Sequence, residues 1–222
     1  MARLPRLSLP GHFHWIIQPG HHALKVFADD LDRKHYIAAL QEAAHQERVQ
    51  LHACALGAHA VHLLATPPQP GSLGRLVQAV GRRYVSAYHR RHGGSGTLWN
   101  GRFRCAIVEP GPTLLDALCL IDGLSEGDTP SGRTQRANGE RTPWLSDPPE
   151  YWALGNTPID RQAGWRLRLG EGLGPIRTPA LLQAAMGGWV VGSEAFGRAV
   201  AETAARPVAP RPRGRPAAVA AG

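Results

Sequence analysis

The run His12-Phe13-His14-Trp15-Ile16-Ile17-Gln18 is aromatic and β-branched and is closed by Pro19-Gly20, the pattern of a strand ended by a turn. Between Asp29 and Arg48, apolar residues fall at Leu31, Tyr36, Ile37, Leu40, Ala43 and Ala44 with charges between them, which predicts a helix. Val49 to Thr66 reads as two strands joined by a tight turn at Gly57-Ala58, and Pro67-Pro68-Gln69-Pro70-Gly71 stops the second. Ser72 is placed as the N-cap of a further helix carrying Leu73, Leu76, Val77, Val80, Tyr84, Val85 and Tyr88 at three- and four-residue steps. Gly93-Gly94-Ser95-Gly96 breaks it, Cys105 to Val108 reads as a strand, and Leu114 to Leu124 as an apolar helix. The order strand, helix, two strands, helix, strand, helix predicts an α+β sandwich with helices on one face of an antiparallel sheet. The expected domain lies in residues 1–124, followed by a polar linker in 125–146, a small helical unit in 147–205 and a disordered basic tail in 206–222.

Composition narrows the class. With 43% hydrophobic residues the chain can bury a core, and no run approaches the roughly eighteen apolar residues of a membrane span. The N-terminus lacks the long apolar stretch of a signal peptide. Cys54, Cys105 and Cys119 share no ligand spacing and cannot all pair, which argues against a disulfide scaffold and a cysteine zinc site and favours a reducing cytoplasm. The formal net charge is +8, and the basic residues are arginines apart from Lys25 and Lys34. Guanidinium forks grip phosphate with paired hydrogen bonds, so the bias suits a nucleic acid; a GC-rich coding sequence would produce the same bias.

Three stretches together are more specific. They are Pro10 to Gly20 with Val26-Phe27 and Asp29-Asp30, then His52 to Pro67, then Gly81-Arg82-Arg83-Tyr84-Val85 with Gly96 to Phe103. The chain resembles the REP-associated tyrosine transposases, bacterial relatives of the HUH-type insertion-sequence transposases. The resemblance continues through Pro149-Glu150-Tyr151-Trp152, Gly187 to Phe196 and Gly214-Arg215-Pro216. It implies a ferredoxin-like βαββαβ domain, a homodimer, a cytoplasmic and nucleoid-associated location, and action on single-stranded DNA folded into hairpins. It further implies two histidines flanking an apolar residue on a central strand, which with a third polar ligand hold Mg²⁺ or Mn²⁺. A tyrosine on a nearby helix would attack the phosphate so polarised, forming a covalent phosphotyrosine.

This chain departs from that pattern at three positions. The second histidine falls on His62 and the first on Ala60, with a displaced histidine next door at His59. Residues i and i+2 of a strand share a face and i+3 does not, so His59 joins His62 only through a β-bulge. The tyrosine position is Leu120 and the third-ligand position is Leu124. Tyr84 and Tyr88 are the available substitutes for the nucleophile, or else packing residues. His12 and His14 share a strand face without an evident third ligand, which favours a structural role.

The DNA-binding equipment is kept. Arg75, Arg82, Arg83, Arg90 and Arg91 form a candidate phosphate-tracking face, and Trp99, Asn100, Gly101, Arg102 and Arg104 add a ring, a close-approach glycine and more guanidinium. Trp99 reads either as a stacking platform, worth ~1–3 kcal/mol per base, or as a core anchor for its loop. Arg213 and Arg215, in Arg211-Pro212-Arg213-Gly214-Arg215, read as a minor-groove hook or as a solvated tail. The leading expectation is a transposase-family protein that binds single-stranded or hairpin DNA with cleavage lost; the alternatives are an active metal-dependent transposase and a decaying gene copy.

Overall fold

The computed structural model describes residues 5–21, 25–125, 130–204 and 206–210. Its first part runs β1 (Phe13–Pro19), α1 (Asp30–Glu47), β2 (Gln50–Leu56), β3 (Ala60–Thr66), α2 (Ser72–His92), β4 (Arg104–Val108) and α3 (Pro112–Gly123). The strands make one antiparallel sheet in the order β2-β3-β1-β4. This is the ferredoxin-like βαββαβ topology, with the two consecutive strands β2 and β3 on one side and β4 returning to the far side of β1. Asp29 caps α1 by accepting the Asp32 backbone N–H at 2.9 Å. Helix α2 differs from expectation at its start: Gly71, at φ +83°, is the cap, and Ser72 is the first helical residue. The Ser72 hydroxyl accepts a hydrogen bond from Arg75 at 3.2 Å instead of capping. The turn out of Pro67–Pro70 requires a left-handed residue, which glycine supplies without the Cβ penalty.

The period of two sorts each strand between two cores. Val61, Leu63 and Ala65 of β3 join Leu51, Cys54 and Leu56 under α1 and α2. The intervening Leu64, with Trp15, Ile17, Ala53 and Ala55, faces the other way onto α3. That second face is not left to water. Helices α4 (Gly132–Asn138), α5 (Pro149–Trp152), α6 (Pro158–Glu171) and α7 (Gly174–Gly187) bring Ala137, Tyr151, Trp165, Leu181 and Ala185 against it, and α8 (Glu194–Thr203) packs Val200 beside Leu7 and Ile107. A sheet covered on both faces needs apolar residues at both parities, which is why β1 and β2 read as continuous apolar runs rather than alternating ones.

Helix α4 lies within the stretch expected as a linker, and it carries a buried cation. Arg136 pairs with Asp122 of α3 at 2.7 Å and with Asp147 at 2.8 Å, and also donates to the His52 carbonyl of β2. The Trp165 indole donates to Asp122 at 3.1 Å, and the Tyr151 hydroxyl donates to the Arg136 carbonyl at 3.3 Å. Gly132 is forced by this packing: a Cβ there would lie 2.1 Å from an Arg136 nitrogen and 2.3 Å from an Asp122 oxygen. Removing one partner of a buried ion pair strands a charge, so this network ties the C-terminal helices to the α3 face of the sheet. No helix among the described residues is long and apolar enough to cross a membrane.

Candidate nucleic-acid interface

The positions where the resemblance expects metal ligands lie around the start of β3. His62 pairs in register with Ile17 of β1 and Ala55 of β2, and its side chain shares the α3 face with Trp15 and Leu64. The Trp15 indole donates to His62 Nδ1 at 3.2 Å, and burial pushes the imidazole down to about 4, so it is a neutral acceptor at pH 7. His59 precedes the strand, is exposed, and contributes its backbone carbonyl to the Gly20 N–H at 2.7 Å. A bulge that would bring His59 beside His62 is absent. The register of β3 advances one for one against β1 from Ala60 to Ala65 and against β2 from Val61 to Leu64, and the sheet's irregularity sits in β2 between Leu51 and Ala53.

The structure thus places His59 in the turn before β3 and His62 within the strand. Leu120 and Leu124 are half-buried and pack against the same apolar core as Leu64, offering no oxygen to metal or phosphorus. These residues do not fit a bound Mg²⁺ or Mn²⁺. Among the described residues, one acid–histidine group converges closely: Asp29, Asp32 and His92. It lies on the α1–α2 side, and the Arg91 guanidinium already pairs with both carboxylates, at 2.7 Å from Asp29 and in contact with buried Asp32. The same guanidinium holds the Asp29 carboxyl well below the usual carboxylate range.

The substitute tyrosines are on the wrong side of the sheet. Tyr84 is fully buried among Phe27, Tyr36 and Trp99, and its hydroxyl donates to the Val26 carbonyl. Burial raises its pKa strongly, which removes it further from nucleophilic use. Tyr88 packs on the same core with its ring 4.5 Å from that of His92. The sheet separates both from His62. Trp99 joins this aromatic cluster: 6% exposed, with its ring facing Tyr36 and Tyr84, it anchors its loop and offers no open face to a base. His14 is likewise structural. Its Nε2 accepts the Leu9 N–H at 3.1 Å, its Nδ1 lies 2.7 Å from the His12 carbonyl, and burial pushes it down to about 4.

The arginines divide into those already paired and those lining open space. Arg83 turns toward α1 and pairs with Glu42 at 2.6 Å, and Arg91 is held as described. Arg90 donates to Ser86 at 2.8 Å. Arg75 pairs with Glu47 at 2.7 Å yet still lines a groove of about 980 Å³. This groove runs between α2 and the loop of residues 96–103, and it is walled by Arg6, Arg75, Arg82, Arg102, Gln18 and Gln78 over a floor that includes Val77, Val85 and Phe103. No carboxylate lines it. Gly101, at φ +67°, turns the loop so that Arg102 faces the groove, and the Asn100 N–H is tied to the Pro19 carbonyl at 2.8 Å. Arg104 and Asn100 line a second, smaller cavity next door. Arg213 and Arg215 lie outside the described residues.

Sequence reasoning missed Arg6 and Arg206. Arg6 sits 3.8 Å over the Phe103 ring, and Arg206 sits 5.0 Å over Trp189. Each adjoins a proline near an end of the chain, where no periodicity points to a partner; only the Arg-Pro pairing of an extended segment was there to be read.

No family model matches the sequence, and no curated protein matches it. Two transposases are among the similar solved structures. One is a REP-associated tyrosine transposase bound to a REP hairpin, with 11% identity and a TM-score of 0.47 over 55% of this chain and 71% of that one. The other is a transposase of Deinococcus radiodurans R1, with 25% identity and a TM-score of 0.38 over 49% of this chain and 88% of that one.

Proposed function

We propose that this protein binds single-stranded or hairpin DNA through the groove between α2 and the loop of residues 96–103, and that it does not cleave it. The observation that carries the reading is the groove itself: four arginines from three separate segments converge on one open channel that no carboxylate among the described residues lines. A guanidinium cluster of this kind is stabilised by a polyanion. Of the stretches that resemble the transposase motifs, the third lines that groove, with Gly81-Arg82 on one wall and Gly101-Arg102-Phe103 on the other. The inactive half of the proposal rests on Ala60, Leu120 and Leu124. Without two ligands and a hydroxyl there is neither polarisation of a phosphate nor a nucleophile to attack it.

The test incubates the purified protein with a labelled single-stranded hairpin and Mg²⁺ or Mn²⁺, and runs a denaturing gel beside a binding titration. Retention without a covalent band is expected, with affinity falling steeply as salt rises. A covalent protein–DNA band would overturn the inactive-site reading. Affinity that is flat across salt concentrations would overturn the arginine groove.

A further inference from the structure

Next to the groove lies a cavity of about 330 Å³ that draws on both ends of the chain: Pro5-Arg6, the segment Asn100–Cys105, Gly187–Trp189 and Arg206. It shares Arg6, Gly101, Arg102 and Phe103 with the groove, so the two are continuous. Four guanidinium groups line it, those of Arg6, Arg102, Arg104 and Arg206, and no carboxylate does.

The way these cations are held is informative. Arg206 donates to three backbone carbonyls, of Pro5, Gly188 and Pro207, each at 3.0 Å. Those bonds fix the guanidinium in place and leave its charge intact. Arg6 is held against the Phe103 ring, again without neutralisation, and its Nε is buried with no hydrogen-bond partner. Burial and the neighbouring Arg102 lower the pKa of Arg6, and burial lowers that of Arg206. The group next to them that could become an anion, Cys105, stays a neutral thiol because burial pushes it up to about 12. Like charges gathered this closely repel unless an anion joins them.

We infer that this cavity is a subsite for the terminal phosphate monoester of a DNA strand whose body lies in the adjoining groove. The inference deepens the DNA-binding reading and rests on it. A monoester carries about −1.5 to −2 at pH 7 and three acceptor oxygens, against a single charge for a phosphodiester within the strand. A pocket with four guanidinium groups and no carboxylate rewards the higher charge density, because each charge-assisted bond strengthens with the charge on its acceptor.

The experiment measures fluorescence polarisation of the full-length protein with one single-stranded oligonucleotide bearing a 5′-hydroxyl, a 5′-phosphate or a 3′-phosphate, at about 0.1 M salt. One of the phosphorylated ends is expected to bind about tenfold more tightly than the hydroxyl end. R206Q should bring that ratio close to one, and so should R104Q. Arg104 is exposed, so R104Q keeps the test meaningful even if loss of the Arg206 anchors loosens the fold. R82Q should weaken every oligonucleotide in parallel and leave the ratio standing. Inorganic phosphate at matched ionic strength should erode the preference. A ratio of one in the wild-type protein would sink the subsite while leaving the groove intact, as would a preference that survives both R206Q and R104Q. Failure of the hydroxyl-ended strand to bind at all would sink the groove reading instead.

Discussion

Arg136→Met removes the cation at the centre of the buried network while keeping much of the side chain's apolar volume. Arg136 and Asp122 are fully buried, and Asp147 is nearly so. At an effective dielectric of about 20, each contact near 3–4 Å is worth about 4 kcal/mol of attraction, so losing both would cost about 8 if nothing compensated. Compensation is visible. Asp122 keeps the Trp165 indole at 3.1 Å, and Asp147 keeps the Gln135 amide at 2.8 Å. The expected loss is therefore about 3–5 kcal/mol, the range for breaking a buried pair from one side. Urea denaturation at pH 7, followed by tryptophan fluorescence, measures it. The sign with pH is fixed by linkage. Burial already raises the Asp122 carboxyl above its ordinary value and the Arg136 cation opposes that rise, so without Arg136 it rises further; the penalty is present at neutral pH and fades as pH falls. The gap between variant and wild type should narrow on acidification, and Asp122→Asn added to Arg136→Met should recover about 1–2 kcal/mol by removing one stranded charge. A loss under about 1 kcal/mol at pH 7, or a gap that does not change with pH, would refute the account of the network as an ion cluster and leave only packing.

Other outcomes follow from the same geometry. His14 has its folded-state pKa lowered to about 4 by burial, so its contribution is complete above about pH 6.5 and is lost as pH falls toward 4; His14→Gln should flatten the pH dependence of the urea midpoint in that window by up to about one proton. Trp99→Ala should cost about 3–5 kcal/mol in a thermal or urea melt because it empties a core site. Trp99→Phe should hold most DNA affinity, and a large loss there with stability retained would instead make Trp99 a stacking surface. Arg82→Gln and Arg102→Gln should each weaken DNA binding and lower the slope of log affinity against log salt by about 0.7 for single strands; an unchanged slope would remove that residue from the interface.

Much of the fold was legible from local pattern. Strand and helix periodicities differ, and the proline and glycine stops at Pro19-Gly20 and Pro67–Gly71 mark where each element ends. The composition of the site positions was legible too, since Ala60, Leu120 and Leu124 lack ligand and nucleophile chemistry in any conformation. Ser72 misled because a good capping residue next to a glycine leaves the cap undecided until the turn geometry is known. Linear pattern could not say which arginines are already paired. Arg83 meets Glu42 and Arg75 meets Glu47 only because α1 and α2 lie side by side on one face of the sheet.

The βαββαβ order and the residue types at Ala60, Leu120 and Leu124 follow from the chain alone, because both depend on residue type and short-range spacing. Tertiary structure alone decided that Trp99 is buried, that Tyr84 and His62 are divided by the sheet, and that Arg6 and Arg206 come together from opposite ends of the chain. The physical reason is the same in each case. Strand alternation assigns a residue to one of two faces, but what covers that face is chosen by packing between segments far apart in the chain.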